Sequence, residues 1–223
     1  YSDGKFNITN EFGGWMSEYL PKDEVIDLIK YVDEINLKHG APKELTDTNT
    51  KAVLDIERRG LAVGLKLLRS QVRHLGTEIN LKVLAAIYEE LKARGVTMKF
   101  ACEVTDIIEE NREIKGIVTK DGESIEAKYV LLNVGRPGSQ WLSKVLRKHK
   151  IKLTNNRVDI GVRVETNDVI MKEINENLYE GKFIYNTSVG TTVRTFCSNP
   201  SGHVVIENNN GIITANGHAY NSS

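Results

Sequence analysis

Arg73-His74-Leu75 places a titratable ring just ahead of a predicted helix. Imidazole changes charge near neutral pH, so His74 can handle protons; the competing reading is a surface histidine in a basic loop. Arg194 shares a strand-like stretch with Cys197 and can anchor an anionic substrate, or it can simply face solvent from the strand. Cys197, close to Pro200, reads as a buried free cysteine ahead of a redox thiol. Lys5, between Ser2 and Asn7, can meet phosphate oxygens. His203 and His218 have no carboxylate or cysteine at ligand spacing, so no metal is assigned.

The elements that must position these residues belong to an ordinary globular chain. Its 223 residues suit one large domain or two small ones, with 40% hydrophobic and 27% charged residues. Thirty basic and thirty acidic residues cancel, so nothing calls for nucleic acid or an anionic membrane as a partner. No apolar run reaches the length of a bilayer span. Two cysteines, Cys102 and Cys197, make no disulfide framework, and a reduced, cytoplasmic setting is expected. Tyr1-Ser2-Asp3-Gly4 and the abrupt end at Ser223 read as an interior piece of a longer chain.

Residues 1 to 20 read as loop with local packing. Helices are predicted from Pro21 to Gly40, from about Asp47 to Arg59, and from Thr77 to Gly95, the last carried by Ile79, Val83, Ala86, Ile87 and Leu91. Leu65 to Leu68 reads as a short strand before a polar loop, Arg69 to Thr77. Strands are predicted over Val96 to Ile108 and Ile114 to Thr119, and Asp121-Gly122 as a type I′ hairpin turn. The apolar run Tyr129 to Val134 reads as a strand buried on both faces of a partly parallel sheet that also holds Val96 to Phe100. A helix follows from Ser139 through His149. Val158, Ile160, Val162 and Val164 alternate with polar residues and are expected to face a core. Further strands are predicted at 182 to 186, 191 to 197, 202 to 207 and 211 to 215, which makes residues 151 to 215 mainly antiparallel β.

Taken as a unit, residues 77 to 138 run helix, strand, hairpin, buried strand, glycine turn. Leu91-Lys92-Ala93-Arg94-Gly95-Val96, Val104-Thr105-Asp106-Ile107, Asp121-Gly122 and Leu132-Asn133-Val134-Gly135 resemble the second half of the two-dinucleotide-binding flavoprotein fold. Gly135 would let the backbone pass close to a dinucleotide, and Arg136 would offer it charge; taken alone, the turn through Gly138 reads first as a tight strand-to-helix connection, and the unit around it reverses that reading. Ser2-Asp3-Gly4-Lys5-Phe6-Asn7-Ile8-Thr9-Asn10 resembles the Ser-Gly-Gly-Gly-Arg-Cys-Asn-x-Thr-Asn loop of a family of bacterial flavoproteins. It is similar still more closely to an uncharacterised FAD-dependent dehydrogenase family with a Ser-Asp-Gly-Lys loop. That family also carries Arg-His-Leu-Gly-Thr, here Arg73 to Thr77; Gly-Val-Arg-Val-Glu, here Gly161 to Glu165; and Val-Arg-Thr-Phe-Cys, here Val193 to Cys197. The chain departs from the family after Cys197, where a second cysteine and Pro-Gly-Gly are replaced by Ser198-Asn199-Pro200-Ser201-Gly202. It also lacks the Gly-x-Gly-x-x-Gly turn that receives a pyrophosphate.

The resemblance implies a mixed α/β fold. Residues 1–150 would form a partial FAD-binding region, and 151–223 a β-rich substrate-type subdomain. It implies cofactor contacts from Ser2, Gly4, Lys5, Asn7, Val104, Gly135 and Arg136, and catalytic roles for His74 and Arg194. FAD would bind the intact parent but not this piece, NAD(P)H would be a partner, and the piece alone would be inactive on a substrate the sequence does not identify. The rival expectation is a nonenzymatic α/β module that binds a ligand or partner.

Overall fold

Local capping signals set most of the helices. In the computed structural model, residues 4–135, 137–155, 157–209 and 211–218 are described. Pro21 takes the cap position of α1 (Lys22–Lys38), Asp23 and Glu24 sit in its first turn, and Gly40 is left-handed just past its end. Helix α2 (Lys51–Ala62) starts later than expected because the Thr50 hydroxyl, not Asp47, accepts a first-turn amide, that of Val53 at 3.2 Å. Helices α3 (Gly76–Ala93) and α4 (Ser139–Lys148) form where the apolar spacing puts them. A fifth helix, α5 (Asp168–Asn177), interrupts the region read as mainly antiparallel β. Its start is coded by Asn167, whose side chain accepts the Val169 amide at 3.0 Å, followed by an acidic first residue.

Every strand pair among the described residues is antiparallel. β1 (Lys5–Asn7) pairs with β3 (Val72–His74). β2 (Leu65–Leu67), β7 (Phe183–Asn186) and β8 (Thr192–Arg194) make one sheet. β4 (Val104–Glu110), β5 (Glu113–Thr119) and β6 (Ser124–Glu126) make another, and β9 (His203–Asn209) and β10 (Ile212–His218) form a hairpin.

Three expectations need correction. Val96 to Phe100 and Tyr129 to Val134 are not strands, and no parallel pair occurs among the described residues. Tyr129 and Leu131 are open to solvent. A run that reads as a doubly buried strand becomes one only with a ladder on each edge, and none of the described strands supplies either. The alternating row Val158, Ile160, Val162 and Val164 is likewise unpaired and exposed, Val162 at 88%. Alternation marks a dry face only when a sheet or helix covers it. The Asp121-Gly122 turn does close a hairpin, with the Gly122 amide on the Thr119 carbonyl at 3.0 Å, but only Gly122 has positive φ, so it is not type I′. The left-handed pair is Asn111-Arg112, at the turn between β4 and β5.

The chain forms two compact units: residues 1–94 with 161–223, and residues 95–160. The first holds three small cores. Val53, Ile56, Leu67, Leu178 and Phe183 pack α2 and α5 on β2 and β7. Phe12, Leu68 and Val72 form a second core with Tyr179 and Ile184 against them. Ala41, Leu75 and Val83 form the third with Phe6 and Ile87, seating α3. In the second unit, α4 is tied to β4: Lys148 and His149 both bond Asp106, and Trp141 Nε1 donates to the Thr105 carbonyl at 3.1 Å.

Candidate functional site

Two motifs that lie far apart in sequence meet in the first unit. Gly4 has φ +77° and is buried; a Cβ there would stand 2.9 Å from Leu75 Cβ and 3.1 Å from Asn80 Cβ. Only glycine therefore fits, and its carbonyl accepts the Leu75 amide at 2.9 Å. The loop read as irregular thus continues as β1, laid against β3 with Lys5 opposite His74, Phe6 opposite Arg73 and Asn7 opposite Val72. Directly opposed side chains share a face, so the pairing sorts the motif residues. Phe6 joins the third core. Arg73 is buried, where Asp33 takes its guanidinium at 2.6 and 2.7 Å and the Pro42 carbonyl at 2.5 Å. The Asp33 hydrogen bond raises Arg73 above an already high arginine value, against the opposing effect of burial. Arg73 is structural; His74, beside it, is exposed.

Lys5 and His74 share a neighbour that sequence reading missed. The Tyr179 ring lies 4.9 Å from the His74 ring, centroid to centroid, and 5.5 Å from Lys5 Nζ. The next residue, Glu180, is buried and connects two cations: Lys5 Nζ at 3.8 Å from Oε1 and Lys182 Nζ at 2.8 Å from Oε2. The second contact lies in ion-pair range but outside hydrogen-bond angles, and Oε2 accepts no hydrogen bond. The side chains of Lys182 and Glu180 are only 6% and 5% exposed. Lys182 Nζ also lies over two aromatic faces, Phe12 at 4.1 Å and Phe196 at 5.8 Å. The Arg194 guanidinium carbon sits 4.7 Å over the same Phe196 ring.

Lys5, His74 and Arg194 are thus linked through Tyr179, Glu180, Lys182 and Phe196 into one strip rich in positive charge. β7 and β8 fix its Arg194 end, with Arg194 opposite Ile184 and the Thr195 hydroxyl spanning the Gly181 carbonyl (2.7 Å) and the Phe183 amide (2.8 Å). The spacing of Glu180 and Lys182 around a glycine was the only sequence signal for the middle of the strip. Asn7 is exposed on β1 opposite Val72. Cys197 is exposed rather than buried, and Cys102 is half-buried; both are free thiols. Ser2 and Arg136 lie outside the described residues.

The remaining candidates belong to the second unit. Val104 lines a cavity of about 450 Å³ with Ile117, Leu132, Val134, Gly138 and Trp141. Gly135, one residue past Val134, has φ +62°. Gly138 is also required, because a Cβ there would meet Val134 Cβ at 2.6 Å. The cavity has room for one ring system of a dinucleotide. No glycine-rich turn in the sequence receives a pyrophosphate, so these residues do not fit a whole FAD.

Among the described residues, no cluster of three or more His, Cys, Asp or Glu side chains is arranged to hold a metal ion. Nor is any helix among them long and apolar enough to cross a membrane. Residues 60–176, more than half of the chain, match the family model of the pyridine nucleotide-disulphide oxidoreductases. No curated protein matches the sequence.

Proposed function

Because the chain belongs to the pyridine nucleotide-disulphide oxidoreductase family, whose members bind flavin and nicotinamide nucleotides, we propose that it serves a FAD-dependent dehydrogenase acting on a small anionic substrate. The observation that carries this reading is the strip joining Lys5, His74 and Arg194. In it Arg194 pairs with the substrate's anionic group, and its stacking on Phe196 limits the rotamers it must give up on binding. His74, at the other end of the strip, holds or delivers a proton, with Tyr179 fixing one side of its ring. Hydride chemistry belongs to the flavin when bound; these residues bind and orient.

In this reading the cofactor-facing contacts within residues 1–150 are of two separate groups, Ser2, Gly4, Lys5 and Asn7 in the first unit, and Val104, Gly135 and Arg136 in the second. Residues 151–223 supply the substrate-facing Arg194, with His74 and Lys5 joining it within the first unit. NAD(P)H is the proposed electron partner and the cytoplasm the proposed setting. This chain alone binds FAD more weakly than micromolar, since the pyrophosphate turn is absent from it, and does not turn over.

Two titrations test the reading. Sodium acetate followed by amide NMR is expected to move resonances at Lys5, His74 and Arg194, and Arg194→Gln to abolish the response. Shifts confined to other parts of the chain would take the substrate role away from the strip. FAD titration followed by flavin fluorescence is expected to show only weak binding; a micromolar or tighter complex would mean that these residues hold the cofactor after all.

A further inference from the structure

We infer that Asn216-Gly217 is a self-modifying site, where the fold promotes conversion of the Asn216 amide to aspartate and isoaspartate. The site is independent of the strip described above. Asparagine precedes glycine twice in the sequence, at Asn210-Gly211 and at Asn216-Gly217. A glycine nitrogen has no side chain beside it to hinder its approach to the asparagine carbonyl. At the second pair, a side chain is also kept out by packing, since a Cβ at 217 would collide with the Asn199 amide.

The reacting atoms are already together. Gly217 N–H donates to Asn216 Oδ1 at 2.9 Å, so the nitrogen stands beside the carbon it must attack. That amide is not tied into the ladder. Val204, opposite Gly217, turns its own N–H to Glu165 Oε1 at 2.6 Å, which marks the pair as one that exchanges no ladder hydrogen bonds. The Asn216 carbonyl is polarised as well: Arg163 Nη2 donates to the same Oδ1 at 2.8 Å. Glu207 Oε1 accepts from Nδ2 at 2.8 Å and holds the amide with its oxygen toward the guanidinium.

In the reaction Gly217 gives its amide proton to solvent hydroxide, and the nitrogen electron pair attacks Asn216 Cγ. The N–Cγ bond forms as the carbonyl π pair moves onto Oδ1, where Arg163 meets the developing charge. Collapse breaks the Cγ–Nδ2 bond, and Nδ2 takes a proton from water and leaves as ammonia. Water then opens the five-membered imide at either carbonyl, to aspartate or to isoaspartate. Nothing is oxidised or reduced; amide and water become carboxylate and ammonium. Either product sets a second carboxylate beside Glu207, and isoaspartate also lengthens the backbone of β10. The clasp that ties residues 161–165 to β10 is then changed for good.

The full chain, incubated native and in guanidinium chloride, tests this by fragmentation mass spectrometry, which follows Asn216 and Asn210 separately. Loss of the Asn216 amide should run roughly tenfold faster in the native chain than in the unfolded one. Arg163→Gln should slow it by about tenfold and leave Asn210 unaffected. Arg163→Lys, which keeps a cation, should restore part of the rate. A looser strand would by itself speed the loss, so slowing is not what damage to the hairpin produces. Melting temperatures check that the variants fold; if Arg163→Gln does not, the comparison of native with unfolded chain decides alone. Native loss no faster than unfolded loss, or no slower in a folded Arg163→Gln variant, would overturn the inference.

Discussion

Lys5 and His74 stand directly opposite each other across β1 and β3, and the Tyr179 ring lies against both. The pairing depends on Gly4 one residue earlier, where the chain runs through a left-handed conformation hard against Leu75.

Gly4→Ala should therefore damage the strip from a distance. Left-handed strain and a Cβ contact of 2.9 Å with Leu75 act together, for an expected loss of about 1–3 kcal/mol. Gly76→Ala is the control, since Gly76 is also left-handed, at φ +69°, but faces open space. Urea midpoints should fall further for Gly4→Ala; equal losses would show that the contact with Leu75 is easily relieved.

Arg73 and His74 are adjacent yet should behave oppositely. Arg73→Ala removes a buried guanidinium and leaves the partly buried Asp33 carboxylate without its partner, a loss of about 2–4 kcal/mol. His74→Ala, at an exposed position, should change stability by no more than about 0.5 kcal/mol. Denaturant unfolding of both variants checks the order, and a severe loss for His74→Ala would recast that residue as structural.

The alternating row at 158–164 gives a comparison that runs against the sequence pattern. Val162→Asp should be nearly neutral, within about 0.5 kcal/mol, because Val162 is already in water. Arg163→Asp should cost more, since Arg163 Nη2 donates to Asn216 Oδ1 at 2.8 Å and Nη1 reaches the Cys197 carbonyl at 3.5 Å. If melting shows Val162→Asp to be the worse of the two, the row is covered in solution.

Acid should loosen the junction between α1 and α3. Glu90 receives Lys38 at 2.7 Å and His39 at 2.7 Å, and these two hydrogen bonds, Lys38 first, hold its carboxyl down to about 2 from an ordinary 4.5. A carboxylate whose folded value is depressed gives its full contribution above the unfolded value and loses it as pH falls through the folded one. Melting temperature should accordingly fall more steeply between about pH 4.5 and pH 2 in the wild type than in Glu90→Gln. Parallel curves would assign the acid sensitivity to other carboxylates.

Much of the helical framework was legible because helix signals are local. Pro21, Gly40 and the apolar spacing of α3 need no distant partner to be read. Most of the strands that were legible have a hairpin partner nearby, as for β4 with β5 and β9 with β10, although β2 was readable too with its partner β7 far off in sequence. Tyr129 to Val134 and Val158 to Val164 carry the same apolar code but find no ladder among the described residues, and a code for burial says nothing about what does the burying. The candidate residues His74, Lys5 and Arg194 were readable one by one. Their junction was not, because Tyr179, Glu180 and Lys182 acquire meaning only once β7 brings them beside Phe12 and β1.

β2 finds its partner only in β7, after the whole of the second unit has intervened. Ribosomes add about 5–20 residues per second and domains tend to fold as they emerge. Residues 95–160 are thus complete before Phe183 leaves the ribosome, while α2 and β2 wait with Val53, Ile56 and Leu67 uncovered. The earlier half of the first unit is the part of this chain most in need of a chaperone during its own synthesis.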